Sequence, residues 1–135
     1  MDRLFLDANV LFTAAHNPDG KASFLFDELG RKRWQLLSSG FAIEEARRNI
    51  TLKYPSCLAR LDKLVGRVLK VSQPPMDAVP INLPEKDQPI FLAARSGGAS
   101  HLLTGDLKHF GPHMNRPDAS AGVIIQTVAD YLSRL

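Results

Sequence analysis

The chain has 135 residues, 44% of them hydrophobic and 23% charged, and its 17 Lys and Arg against 14 Asp and Glu give a formal charge of +3. That length suits one domain with a substantial core and is too short for two, so residues 1–135 are read as a single domain. The one cysteine, Cys57, excludes an internal disulfide and a Cys-based zinc site and makes a reducing, cytoplasmic setting the default. No apolar run approaches the roughly 18 residues of a membrane span, so no membrane partner is expected.

Arg3-Leu4-Phe5-Leu6 reads as a buried strand that ends abruptly in Asp7-Ala8-Asn9. Val10 to Ala15 continues as a helix, and Asn17-Pro18-Asp19-Gly20 is a turn. Lys21 to Leu29 carries a helical apolar face stopped by Gly30, and Arg31-Lys32-Arg33 is a basic connector that serves either as a solvated turn or as a phosphate-binding patch. Trp34 to Leu37 predicts a second strand. After Ser38-Ser39-Gly40 a helix runs to about Leu52, with Ile43, Ala46, Ile50 and Phe41 on its inner face and Glu45 near its start.

From Pro55, the spacing of Leu58, Leu61, Leu64-Val65 and Val68-Leu69 predicts a long amphipathic helix, broken at Ser72-Gln73-Pro74-Pro75. Pro89 is tolerated only in a first helical turn, which sets Asp87 at or beside the N-cap of a helix ending at Gly97-Gly98. His101 to Thr104 is a third strand, closed by Gly105-Asp106. Lys108 to His113 reads as a loop, Val123 to Ile125 as a fourth strand, and Thr127 to Leu135 as a closing helix with Val128, Tyr131-Leu132 and Leu135 inward. Strands alternating with helices predict a three-layer α/β/α sandwich around a mostly parallel sheet.

Two strands, each followed closely by an acid, bring Asp7 and Asp106 to one edge of such a sheet, where ligands gather. Glu45 and Asp87 come from helix starts. Each has an ordinary alternative, favouring the helix dipole for Glu45 and capping for Asp87. Without a cation, four carboxylates packed together would repel, so their convergence makes sense as a hard-metal site for Mg²⁺ or Mn²⁺. His16, His101, His109 and His113 show no paired ligand spacing and are read as surface or packing residues.

Leu6-Asp7-Ala8-Asn9-Val10-Leu11, Ala42-Ile43-Glu44-Glu45-Ala46, Asp87 with Ala94, and Leu102-Leu103-Thr104-Gly105-Asp106 with Phe110 together resemble the PIN-domain family of metal-dependent ribonucleases, which includes many VapC-type toxins. The resemblance spans nearly the whole chain. It implies Asp7, Glu45, Asp87 and Asp106 as the catalytic, metal-binding acids, with Glu45 preferred over Glu44 because it precedes Ala46-Arg47. It also implies Asn9 and Thr104 as polar neighbours of the metal.

The implied reaction is hydrolysis of an RNA phosphodiester with one or two Mg²⁺ or Mn²⁺ ions. Single-stranded or looped RNA would be the substrate, with Arg47, Arg48 and Lys108 on flanking phosphates. An antitoxin protein and a second copy of the chain are the implied protein partners. One alternative keeps the fold but not the chemistry, as an RNA-binding or partner-regulated module with a structural cation. Another, a haloacid-dehalogenase type phosphatase, wants an Asp two positions after the first and meets Asn9 instead.

Overall fold

The computed structural model describes residues 1–27 and 32–135. Five strands form one parallel sheet: β1 (Asp2–Leu6), β2 (Trp34–Ser39), β3 (Leu69–Val71), β4 (His101–Leu103) and β5 (Ile124–Gln126), in the order β3-β2-β1-β4-β5. Leu4, Phe5 and Leu6 are fully buried, as are Leu37, Leu102, Leu103 and Ile125. Such runs are apolar on successive residues because helices cover both faces of a parallel sheet.

The chain steps outwards from β1 to β2 to β3, then crosses back to β4 and β5 on the other side of β1. Right-handed crossovers put the connecting helices of the two halves on opposite faces of the sheet. The first half contributes α1 (Ala8–His16), α2 (Lys21–Phe24), α3 (Gly40–Lys53) and α4 (Leu58–Val65), and α1, α3 and α4 pack on one another. The second contributes α5 (Gln88–Ser96), packed against β2 and β4, and α6 (Leu107–Phe110), while α7 (Val128–Ser133), which follows the last strand, packs back on α2. The reversal between β1 and β4 opens a crevice at their carboxyl ends, the usual place for a ligand in an open α/β sheet.

Several elements depart from the sequence reading. The helix expected through Val68-Leu69 stops at Val65 with Gly66 as its C-cap, and Leu69–Val71 pairs with β2 as an edge strand, Leu37 opposite Leu69. Lys108 to His113 is not a loop: α6 runs into a 3-10 turn at Gly111–His113. Phe41 and Leu135, expected inside, are 43% and 53% exposed, whereas Ile43, Ala46 and Ile50 are buried as the helical spacing requires. Of the helix expected from Lys21 to Leu29, Lys21–Phe24 is helical, while Leu29, Gly30 and Arg31 lie outside the described residues. No helix among the described residues is long and apolar enough to cross a membrane.

Candidate metal centre

The register of β1 with β4 pairs Leu6 with Leu103, so the next residues, Asp7 and Thr104, stand side by side where the two strands end. Asp7 is the N-cap of α1 and only 5% exposed; its Oδ1 accepts the Ala8 N–H at 2.7 Å. Its Oδ2 accepts the Thr104 hydroxyl at 2.8 Å and the Asn9 amide at 3.2 Å. Asn9 Oδ1 in turn accepts the Gly105 N–H at 2.6 Å, which ties the start of α1 to the turn after β4. A Cβ on Gly105 would stand 3.3 Å from that oxygen, so the close approach explains a glycine there.

Thr104 Oγ1 also accepts the Asp106 N–H at 3.1 Å. Asp106 then caps α6, its Oδ1 accepting the His109 N–H at 3.1 Å. Asp87 closes a 3-10 turn, Glu85–Asp87, that leads directly into α5. Its backbone is therefore already helical, at φ −96° and ψ −13°, and its side chain makes no capping hydrogen bond. An effective N-cap needs an extended backbone to turn its side chain onto the first turn, so the expected capping role fails and the carboxylate is left for something else.

Asp87 points towards Asp106 and His109. One ligand atom from each of these three residues lies within 4.8 Å of the other two. His109 Nδ1 is 2.9 Å from Asp87 Oδ2 and 2.8 Å from Asp106 Oδ2. Neither approach is aligned as a hydrogen bond, so Asp87 Oδ2 and His109 Nδ1 are buried without one, and the two contacts are ion pairs only when the ring is protonated. His109 is thus part of the acidic cluster and not the surface or packing residue expected. The signal for it in the sequence is its spacing of three from Asp106 across a short helical turn.

Asp7 and Glu45 are not part of this 4.8 Å cluster, although the charges of Glu45 and Asp87 both act on Asp7. Glu45 is half-buried in the second turn of α3, one turn later than expected, while Glu44 is exposed. Burial raises the Asp7 pKa from 3.8 to about 6, helped by the charges of Glu45 and Asp87 and opposed by the hydrogen bonds from Thr104 and Ala8. Burial also raises the pKa of Asp87, with the charge of Asp106 and against the charges of His109 and Lys86 and the close approach of the His109 ring nitrogen. Desolvation is thus the main cause of both shifts, and the neighbouring acids add to it. An oxygen-rich donor set with a buried carboxylate oxygen that no hydrogen bond satisfies fits a hard divalent cation.

The basic residues are dispersed. Arg47 is held by Asp62 of α4 at 2.9 Å, with both side chains nearly half exposed, and Arg48 and Lys108 are exposed. A groove of about 440 Å³ opens beside Asn9 and Thr104, lined further by Thr13, Lys21, Gly105 and Thr127.

No family model matches the sequence, and no curated protein matches it. Solved structures do match the fold. A chain of the crystal structure of VapBC2 from Rickettsia felis, bound to a DNA fragment from their promoter, superposes with a TM-score of 0.67 at 15% identity, over 93% of this chain and 98% of that one. A chain of VapBC-1 from nontypeable Haemophilus influenzae superposes with a TM-score of 0.56 at 16% identity, over 94% and 98%. With its all-parallel five-stranded sheet and its length matched almost end to end, the chain shares the α/β fold of these VapBC chains.

Proposed function

We propose that the protein is a Mg²⁺- or Mn²⁺-dependent endoribonuclease that hydrolyses phosphodiester bonds in single-stranded or looped RNA, and that it is the toxin of a toxin–antitoxin pair. The observation that carries this reading is the Asp87 carboxylate, buried at a helix start where it caps nothing and grouped with Asp106 and His109 within 4.8 Å. Holding such a group desolvated is costly unless a cation is its partner.

In this reading Asp7, Glu45, Asp87 and Asp106 hold the ion. When bound, the ion supplies charge to the phosphate oxygens and activation of water. Thr104 and Asn9 hold the Asp7 carboxylate in one orientation through its Oδ2, leaving its remaining lone pairs for the site. The groove beside Asn9 and Thr104 gives a nucleotide next to the scissile bond a place to lie. Arg48 and Lys108, exposed and free of the ion pair that occupies Arg47, bind flanking phosphates that the acids themselves repel. The toxin assignment draws on the two VapBC structures that share the fold, and makes the protein partner an antitoxin.

Total RNA incubated with the protein in Mg²⁺ or Mn²⁺, beside Asp7→Asn and beside a chelated control, tests the proposal. Cleavage by the parent that both the substitution and the chelator abolish is expected. An inactive parent, or equal cleavage by Asp7→Asn, would overturn the nuclease reading and favour a non-catalytic module with a structural cation.

A further inference from the structure

We propose that His109 supplies a nitrogen ligand to the cation site and that this ligand makes the site favour Mn²⁺ over Mg²⁺; the inference rests on the metal-dependent reading above. His109 is placed by its own cap: Asp106 Oδ1 accepts its backbone N–H at 3.1 Å, which fixes the first turn of α6 and sets the ring beside the Asp106 carboxylate. From the other side, Asp87 brings Oδ2 to 2.9 Å from the same Nδ1.

An imidazole nitrogen carries one hydrogen at most, so Nδ1 cannot donate along both directions at once. Here it is aligned with neither oxygen, so Nδ1 and Asp87 Oδ2 are buried without a hydrogen bond, and only a protonated ring would pair with the two carboxylates in the cation's absence. Asp87 is itself 9% exposed, so water does not readily serve it. Buried polar groups are normally satisfied, and two buried atoms without a hydrogen bond, facing each other beside the Asp106 carboxylate, call for a common partner.

The separations suit a cation. Donors on adjacent vertices of an octahedral ion with bonds of about 2.1 Å stand about 3 Å apart. The nitrogen-to-oxygen distances of 2.8 and 2.9 Å are close to that, and all three atoms fall within 4.8 Å. With Nδ1 presenting its lone pair, the ring proton resides on Nε2. Mg²⁺ seeks oxygen and keeps its waters, whereas first-row transition ions accept imidazole. One nitrogen among several carboxylates therefore tips an otherwise hard site towards Mn²⁺ without making it a zinc site.

The test is pulsed electron paramagnetic resonance of Mn²⁺ bound to the whole protein, with calorimetric Mn²⁺ and Mg²⁺ affinities for the parent and His109→Gln. Expected are ¹⁴N couplings on the Mn²⁺ signal that change to ¹⁵N couplings when the histidines are ¹⁵N-labelled, a measurement that needs no variant. In His109→Gln the nitrogen signal is lost and Mn²⁺ binds about tenfold more weakly or worse, with Mg²⁺ affinity changed less than about twofold.

Bound Mn²⁺ without nitrogen couplings would overturn the inference and leave the metal site standing. So would tighter binding of both ions by His109→Gln, which would mark the ring as a displaceable counter-ion. Failure of the parent to bind Mn²⁺ at millimolar concentration, or binding unaffected by Asp87→Asn, would instead overturn the metal-dependent reading itself.

Discussion

Thr104 stands beside Asp7 at the end of the paired strands β1 and β4 and donates its hydroxyl to Asp7 Oδ2 at 2.8 Å, fully buried. The same hydroxyl oxygen accepts the N–H of Asp106 and the amide of Asn9, so one side chain links two of the acids and the polar residue between them.

Thr104→Val keeps the shape of that side chain and removes its hydroxyl. The substitution should cost about 1–3 kcal/mol of unfolding free energy, the usual penalty for stranding buried polar partners. Because the hydroxyl favours the ionised form of Asp7, the loss should be larger at pH 7 than at pH 4.5, which denaturant titrations at the two pH values would measure. Equal losses would show that Thr104 does not act on the Asp7 charge.

Metal-free stability should fall as pH rises through the range from about 4 to about 6. The Asp7 pKa lies near 6 in the fold and near 3.8 when exposed, so the folded state holds a proton that the unfolded chain has already released. The stability that this proton contributes is full below about pH 4 and is lost as pH rises past 6, by an amount on the order of a few kcal/mol. Burial lowers the His101 pKa and works in the opposite direction, reducing stability as pH falls. The readout is therefore the difference between the parent and Asp7→Asn, whose profiles should diverge below pH 6 and run parallel above it. Saturating Mn²⁺ should raise the melting temperature of the parent at pH 7 by stabilising the folded state alone.

Asn9→Asp exchanges an amide donor 3.2 Å from Asp7 Oδ2 for a second negative charge. The metal-free variant should melt a few degrees below the parent at pH 7, consistent with about 1–2 kcal/mol. Added Mn²⁺ should recover most of the difference. A variant whose deficit is insensitive to the ion would place Asn9 outside the cation's reach.

The three basic residues should separate on RNA. Arg47→Ala breaks an exposed ion pair with Asp62 and should cost less than about 1 kcal/mol of stability with little change in RNA affinity. Arg48→Ala and Lys108→Ala should each weaken binding of a catalytically silenced Asp7→Asn protein and reduce the salt dependence of that binding by about one counterion. Fluorescence anisotropy across a salt series measures both quantities.

What was legible in the sequence is tied to burial. Leu4-Phe5-Leu6 and Leu102-Leu103 are apolar on successive residues because both faces of their strands are covered, and the first acid after each run therefore marks a strand end. Leu69–Val71 was not legible, since an edge strand with two exposed residues and one half-buried carries no such pattern and its leucine continues the helical spacing of α4. Gly66 was the available stop signal. Asp87 was legible as a helix-start residue, but its freedom from capping depends on the 3-10 turn before it, a matter of backbone angles. His109 was missed because its partners are one residue three positions away and another 22 positions away, joined only when α5 and α6 pack at the same end of the sheet.

Single-turnover cleavage of a single-stranded RNA by the parent and by Asp87→Asn is the most direct test of the nuclease assignment. The Asp87 carboxylate makes no capping hydrogen bond, so the amide should leave folding intact, with a melting temperature equal to or above that of the metal-free parent. The expected result is Mn²⁺- or Mg²⁺-dependent cleavage by the parent and a rate lower by about a hundredfold or more for the folded variant, the scale of losing one electrostatic contact to a transition state. Cleavage by folded Asp87→Asn at the parent's rate, or cleavage that persists after the cation is chelated, would contradict it.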